Sequence, residues 1–577
     1  MELVLDIETN LAHDTIWVCV SQVVGGTEQV THFSPSTLQP LIDKADKVVG
    51  HNIIGFDAPV LQKVWGIKIR DEQLEDTLVL SRLFDPSVTG GHSLEAWGKR
   101  LGGSKDDFDV ADFDNGYTEK MLTYCKKDVL LTEQLLRKLR ALLKKSKFSE
   151  YSMELETKVA VIVKQQEVNG FEMDTTAATC LYNELTLRQE RIHDQLQEVF
   201  PPITHKRVSE KTGKALADRI ERFNVGSRQQ IASRLMDAGV VLTERNDPTK
   251  LQLEEEKKTG VAALGSYIIN DDVLQGMDFP EAQAIWEYLL LQKRTAMLKS
   301  WIKHVDGTRM HGKVITNGTV TGRMTHHSVN MAQVPAVNYS KDKEVLTGLE
   351  GGYGYEFRSM WTVKTGNVLV GIDASGLELR MLAHYLQDDE YTDEVVNGDI
   401  HTKNMNAAGL TTRDQAKTFI YAWLYGSGAG LLGKIVGGNK NDGSRLVKQF
   451  MEAVPAVAVL RDKIQRIAAS GSVPALDGRR VRIRSPHSAL NFLLQSAGSI
   501  VMKQALIFLV EALDKHNIPY QIVASVHDEW QIETPTAYGD IVGKAGRRAI
   551  IRAGEYFEMR CTLDGDYQVG NNWAETH

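Results

Sequence analysis

Apolar and polar positions follow two different periods along this chain. Near the N-terminus, "ELVLDIE" and "KVVGHNI" carry the compact apolar runs of β-strands. "LEDTLVLSRLF" and "EKMLTYCKKDVLLTEQLLRKLRALL" instead repeat apolar residues every three or four positions, as amphipathic helices do. This alternation over residues 1 to about 148 predicts an α/β unit. Helical periodicity dominates from about 150 to 305, in "ELETKVAVIVKQQEV" and "LYNELTLRQERIHDQLQEVF", with a break at "PPITHKRVSEKTGK". Beyond 306 strands return ("NVLVGID", "YQIVASV", "WQIET") around a helical block at about 386 to 470. There is no internal repeat and no low-complexity tract.

Composition changes this picture little. At 577 residues the chain is too long for one hydrophobic core, and length alone suggests about four domains. The apolar fraction of 42% and charged fraction of 25% are ordinary for a globular protein. No apolar run reaches the roughly 18 to 20 residues that span a bilayer, so no membrane partner is expected. The N-terminus lacks the basic-then-apolar pattern of a secretory signal. Cys19, Cys125, Cys180 and Cys561 lie far apart with no CxxC pair, which argues against structural zinc and fits a reducing compartment. The net charge of −8 counts mildly against a nucleic-acid binder without excluding one, because acids gathered at metal sites can coexist with a basic groove.

Candidate chemistry begins with "LVLDIET". Asp6 and Glu8 stand at i and i+2 on a strand and project from one face, where two carboxylates repel unless a cation sits between them. "HNIIGFD" ends in Asp57, and "YCKKD" sets Tyr124 and Asp128 at i and i+4 on one helix face. Any one of these is matched by a solvated surface acid. Four acids and a tyrosine in one α/β unit suit two-metal phosphodiester hydrolysis, with magnesium the ion for all-oxygen ligands.

The C-terminal half holds a second constellation. "NVLVGIDASGLELRMLAHY" reads as a strand ending at Asp373, a turn and a helix; an Asp there could equally be a helix cap. In "TTRDQAKTFIYAWLYGSG", Arg413, Lys417 and Tyr421 recur every four residues, a cationic and aromatic stripe able to grip successive phosphates. "ASVHDEWQIE" sets His527, Asp528 and Glu529 at the tip of a strand pair, a charged turn when read alone. Adjacent strand residues face opposite ways, so Asp528 is expected as a ligand and Glu529 as a supporting contributor.

Together these segments resemble known families. "DIE", "HN…FD" and "Y…D" resemble the three motifs of proofreading 3′–5′ exonucleases. "DASGLELR", "R…K…Y…YG" and "VHDE" resemble, in order, motifs A, B and C of family A (DNA polymerase I-like) DNA polymerases. "FNVGSRQQIASRLMDAG", "NGTVTGRMTHHSVNMAQVPA", "GDIHTKN", "DGRRVRIRSPHSALNFLLQSAG" and "NNWAETH" extend the likeness over nearly the whole chain, closest to the replicative type of short-tailed phages such as T-seven. The resemblance implies a multidomain α/β and α+β fold, an RNase H-like exonuclease domain joined to a right-hand polymerase of palm, fingers and thumb. The implied boundaries are 1–148 exonuclease, 149–305 thumb and connection, 306–385 palm, 386–470 fingers and 471–577 palm again. It implies two Mg²⁺ at the polymerase site, on Asp373, Asp528 and the backbone of Ala374. Two more would sit on Asp6, Glu8, Asp57 and Asp128, with Tyr124 orienting the attacking water. Arg413, Lys417 and His401 would bind the triphosphate, Tyr421 would stack on base and sugar, and Glu378 would exclude a ribose 2′-hydroxyl. Tyr at position 421 further implies ready acceptance of dideoxynucleotides. Tyr425 and Gly426 would end the fingers helix near the templating base. Arg323, Asn330, Gln333, Arg484, Asn491, Gln495 and His527 would contact the primer–template. The expected partners are primer–template DNA, dNTPs, a helicase-primase and a single-stranded DNA-binding protein, in the cytoplasm of an infected host cell.

Two departures qualify the likeness. The phage prototype carries a long thumb insertion that captures thioredoxin, whereas here only residues 201 to 222 separate the flanking family segments. Thioredoxin is therefore not expected, and Lys206, Arg207, Lys211, Lys214, Arg219 and Arg222 read as a basic, solvated loop. No segment resembles a 5′ nuclease. A single-subunit RNA polymerase is the nearest competing reading, disfavoured by Glu378 and by the exonuclease motifs. A catalytically dead accessory subunit is disfavoured by intact ligands at both sites.

Overall fold

We describe the protein from a computed structural model, in which residues 1–102, 110–208, 211 and 213–577 are described. It divides into two compact units. The first comprises Met1–Phe171, His311–Gln333 and Val363–His577, and the second Glu172–Met310 and Val334–Thr362.

"ELVLDIET" forms β1 (Glu2–Thr9), the centre of a five-stranded sheet with β2 (Ile16–Val23), β3 (Gln29–His32), β4 (Lys47–Gly50) and β5 (Leu74–Asp76), in the order β3-β2-β1-β4-β5. β1 is antiparallel to β2 and parallel to β4. A central strand is covered on both faces, which explains its near-continuous apolar run. Leu3, Leu5 and Ile7 enter one core cluster. Val4, on the other face, packs with Met121, Cys125 and Val129 of a long helix, α2 below. By the two-residue period, Asp6 and Glu8 share the face of Val4.

Among the helices of this part are α1 (Thr77–Phe84), α2 (Glu119–Lys145) and α3 (Glu150–Asn169). The sequence pattern predicts a helix from Leu74, but Leu74–Asp76 pairs with β4 as a strand. The helix starts at Thr77 because the Asp76 carboxylate caps it, accepting from Leu78 N at 2.8 Å. α3, expected within the helical segment 149–305, belongs to the first unit: Leu155, Val159 and Val163 pack with Ile500 and Ile507.

In the second unit, α4 (Thr175–Val199) packs along α5 (Pro280–His304), joined by an Arg188–Glu287 ion pair. Between them the expected loop is instead a β-hairpin, β6 (Ile203–Val208) with β7 (Ala215–Glu221). Almost every side chain on it is exposed. With no buried face there is no apolar alternation for sequence to show, and the strands are held by their own backbone pairing.

The remainder of the first unit starts with the hairpin of β8 (Lys313–Ile315) and β9 (Thr325–His327). A second sheet follows, built from β10 (Asn367–Ala374), β11 (Gln521–Val526), β12 (Glu529–Pro535) and β13 (Gly565–Gly570) in the antiparallel order β11-β12-β10-β13. α6 (Leu377–Leu386) leaves β10, and six helices with no strand fill Asp389 to Ala468, among them α7 (Ile400–Ala408) and α8 (Arg413–Leu424). α9 (Ala489–Lys515) is apolar on nearly all sides and lies in the core. Contrary to the run count above, Pro486–Lys515 is long and apolar enough to cross a membrane, yet 83% of its apolar window is buried within the protein, as a core helix requires.

Candidate active sites

β10 and β12 bring the C-terminal acids together. Their register sets Asp373 directly opposite Glu529, while Asp528 lies in the two-residue turn between β11 and β12, whose His527 has φ 59°. Asp373 reaches solvent at the mouth of the site. Crowding by protein, followed by the charges of Asp528 and Glu529, nevertheless pushes its carboxyl up to about 7. Burial, then Glu378, pushes Asp528 up to about 6. Carboxylates that repel in this way make a place where a cation relieves both. Ala374 donates its N–H to the Asp528 carbonyl at 3.2 Å, tying the strand end to the turn.

Glu529 is buried, and three protein groups hold it. Trp573 Nε1 donates to it at 2.6 Å, Gln531 Nε2 at 2.5 Å, and His577 Nδ1 lies 2.8 Å away. Gly371 permits this arrangement, since a Cβ there would meet the Thr576 carbonyl oxygen at 2.0 Å. The family-like ending "NNWAETH" contains Trp573 and His577 but assigns neither a role, and nothing in the sequence marks Gln531; their hold on Glu529 is seen only in the folded chain.

The cationic stripe flanks this centre. Arg413, Lys417 and Tyr421 share one face of α8, and the His401 and Tyr421 rings lie 6.1 Å apart. Burial, then the Glu378, Asp528 and Asp373 charges, raises the Tyr421 hydroxyl to about 12. Burial, followed by Arg413 and Lys417, lowers His401. The sequence reading missed Asp399, whose carboxylate accepts Arg413 Nε at 3.0 Å and caps α7 through Thr402. Glu378 accepts the Tyr425 hydroxyl at 2.5 Å and lies 3.2 Å from Arg323 Nη2.

Other expected contacts divide. Arg323, Glu378, Gln495, His527 and Asp528 line one small cleft. Asn330 caps a short turn through Ala332 N, and Gln333 is exposed beside it. Asn491 is buried, and its amide donates to the Leu424 carbonyl at the end of α8. Arg484 lies in a different, 640 Å³ cleft with Lys145, Lys147, Arg480 and Arg482.

At the N-terminal sheet, Asp6 and Glu8 point toward α2. Among the described residues, the group of three potential ligands whose atoms all lie within 4.8 Å is Asp6, Glu8 and Cys125. Cys125 donates its Sγ–H to the Asp6 carbonyl at 3.4 Å. Burial, then the Asp6 and Glu8 charges, pushes its thiol far up, so it stays protonated and acts as a spacer. Burial, then Glu8, Asp57 and Asp128, holds Asp6 well above the usual carboxylate range. One Asp6 oxygen is buried without a hydrogen bond. Asp57 is raised too, by burial first. Four mutually repelling acids with an unsatisfied oxygen fit a divalent cation. Tyr124, half-buried, precedes Cys125 on α2. Asp76 escaped the sequence reading. It accepts from Asn52 N at 2.8 Å and Ile54 N at 3.2 Å, shaping the turn that delivers Asp57.

Carboxylates gathered on two paired strands, with a helix bearing Arg, Lys and Tyr in the same unit, are what a nucleotide polymerase requires. The chain belongs to DNA polymerase family A, whose sequence model matches residues 194–575. It is 33% identical to the DNA-directed DNA polymerase of Escherichia phage T7, over the whole of both chains. It is also 33% identical to that of Enterobacteria phage T3, over 94% of each. In fold it is similar to the POL domain of Pol1 from M. smegmatis, solved with DNA primer-template and dNTP. The TM-score is 0.77 at 16% identity, covering 100% of this chain and 96% of that one. The protein is a DNA-directed DNA polymerase, of a family that is generally metal-dependent.

Proposed function

We propose that this polymerase replicates a phage genome in the infected cell's cytoplasm, extending primer 3′ ends at Asp373 and Asp528 and editing them at Asp6, Glu8, Asp57 and Asp128. The observation that carries the reading is the register placing Asp373 opposite Glu529 with Asp528 in the adjoining turn. Asp373, Asp528 and the Ala374 carbonyl would hold one pair of Mg²⁺ ions, and the four N-terminal acids another. When bound, such ions lower the pKa of the attacking oxygen and offset charge on the phosphate.

The chain's own residues supply the rest. Arg413, released from Asp399, turns with Lys417 and His401 to the triphosphate. Tyr421 stacks on the incoming base and sugar. Glu378, fixed by Arg323 and Tyr425, presents a rigid carboxylate to the 2′ position. Glu529, already held by three protein groups, orients the turn bearing Asp528. At the N-terminal site, Tyr124 orients the water that attacks the terminal phosphodiester. Helicase-primase and single-stranded DNA-binding protein are the expected partners. Thioredoxin is not, and its stoichiometric recovery in a pull-down would overturn that.

The test is primer extension with Mg²⁺, using dNTPs or rNTPs on matched and mispaired primers. Asp373→Ala should abolish synthesis and leave degradation, and Asp6→Ala the reverse. Loss of both activities from either single change, with the fold intact, would refute two separate sites.

A further inference from the structure

β13 is the edge strand beside β10, and Gly565 lets the two come close, since a Cβ there would meet the Asp373 carbonyl oxygen at 2.9 Å. The register sets Asp566 opposite Asp373, as Glu529 stands opposite it on β12. Opposed residues share a face, so Glu529, Asp373 and Asp566 form one row of acids across three strands. Like charges so placed destabilise a sheet unless other groups hold them. Trp573, Gln531 and His577 hold Glu529. Asp566 accepts the Ser375 hydroxyl at 2.8 Å. The Asp373 carboxylate, between them, accepts no hydrogen bond among the described residues.

Ser375 is fastened through every polar atom it has. Its N–H donates to the Asp564 carbonyl at 3.0 Å, its hydroxyl to Asp566, and its carbonyl accepts Arg380 Nε at 2.8 Å. Arg380 also donates to the Thr562 carbonyl, and the Asp564 carboxylate accepts two Arg547 nitrogens at 2.7 and 2.9 Å. These bonds steady the residue before, Ala374, whose N–H donates to the Asp528 carbonyl. A strand residue turns its N–H and C=O to the same side, so the Ala374 carbonyl also faces the Asp528 turn. The chain just beyond is less constrained: Gly376 takes φ 58°, and no side chain caps the start of α6. The Ser375–Asp566 bond is the side-chain link that resists twisting of the strand end between β13 and this glycine.

We infer that Ser375 and Asp566 are positioning residues for synthesis: their hydrogen bond keeps the Ala374 carbonyl aimed at the divalent ion that Asp373 and Asp528 would hold. The inference rests on the metal reading proposed above. Asp566 acts by accepting this bond, not by lending its charge.

The experiment separates the bond from the charge. Ser375→Ala and Asp566→Ala break the bond, Asp566→Asn keeps an acceptor without the charge, and Ser375→Thr keeps the donor. Free Mn²⁺, which suits the same oxygen ligands as Mg²⁺, is counted by electron paramagnetic resonance on the full chain without DNA or nucleotide, so nothing turns over. At the sites lost in Asp373→Ala, both alanine variants should bind Mn²⁺ about ten-fold more weakly, as when an outer partner of a metal ligand is removed. Asp566→Asn and Ser375→Thr should bind close to wild type. Binding at the N-terminal acids should not change, which reports an intact fold. In primer extension the Mg²⁺ concentration for half-maximal rate should rise by the same factor, with kcat at saturating Mg²⁺ nearly kept. Should Ser375→Ala fail to fold, Ser375→Cys, a much weaker donor of similar volume, carries the same expectation. Wild-type affinity in Ser375→Ala or Ser375→Cys overturns the inference. So does an Asp566→Asn as weak as Asp566→Ala, which would make the charge the cause. Mn²⁺ binding undiminished in Asp373→Ala would refute the metal reading and the inference with it. Binding lost in Asp373→Ala but kept in Ser375→Ala would refute the inference alone.

Discussion

Glu156→Gln offers a sharp test of how the first unit is held together. Glu156 on α3 is fully buried and meets two buried cations: Lys503 Nζ of α9 and Arg479 Nη2, each at 2.6 Å. Asp477 supplies the second carboxylate, 2.6 Å from Arg479. Burial pulls Lys503 down to about 8 despite Glu156, so at pH 7 it is still charged. Once Glu156 is neutral, the lysine can give up its proton. Starting near 8, that costs at most about 1.4 kcal/mol at pH 7. Arg479 has no such escape, and loses a charged hydrogen bond worth about 1.5–3 kcal/mol. The expected destabilisation is about 3 to 4 kcal/mol.

Its pH dependence carries the sign. The unfolded lysine keeps its proton to about 10.4 while the folded one loses it near 8. In that window the unfolded state binds more protons, and wild-type stability gains as pH rises. At pH 9 the wild-type lysine is already neutral, and the penalty should shrink to about 2 kcal/mol. Pulse proteolysis across a urea series at pH 7 and pH 9 measures both. A penalty that is absent at pH 7, or no smaller at pH 9, would refute the reasoning. Glu156→Met with Lys503→Met should recover much of the loss.

Four further outcomes are expected. Burial lowers His326 to about 4, so between pH 6.5 and 4 only the unfolded state gains its proton. Stability should therefore fall by up to about 3 kcal/mol as pH drops through that window, and His326→Gln should flatten the slope in acid titrations followed by circular dichroism. Replacing residues 203–221 by a short Gly-Ser turn should change stability by no more than about 0.5 kcal/mol, because the hairpin buries almost nothing; an insoluble product would show a hidden packing role. Asp399→Asn keeps the α7 cap but removes the anion competing for Arg413, so the KM for dNTP should fall on the order of two- to five-fold in steady-state extension. Tyr421→Phe should reduce dideoxynucleotide termination in a primer-extension ladder, and identical ladders from both proteins would rule out that role for the hydroxyl.

Some of this protein is written in short stretches of chain. The two-residue period put Asp6 and Glu8 on one face before any sheet was in view, and the four-residue spacing of Arg413, Lys417 and Tyr421 put them on one side of a helix. Covalent geometry sets both periods, so neither needs a neighbour to define it. The segment 201–222 read as a loop for the complementary reason: a hairpin with no buried face leaves no period to detect. Asp399 and Trp573 lie in stretches that carry the family likeness, yet their roles, like that of Asp76, stay unread because an acid at a helix start, or a tryptophan near the C-terminus, looks the same whether it caps, clamps or does nothing.

What the sequence determined by itself was therefore local: which residue types stand together on one strand, one helix face or one turn, and hence which chemistry the chain could host. Tertiary structure decided which of them meet. It set Asp373 opposite Glu529 rather than Asp528, spent Asn491 on the Leu424 carbonyl, sent Arg484 to another cleft and gathered Glu156, Asp477, Arg479 and Lys503 from three distant segments. Strand register and burial are properties of the whole packed chain. A carboxylate's partners, its exposure to water and its affinity for a proton or a cation are fixed only once the strands are paired and the water is gone.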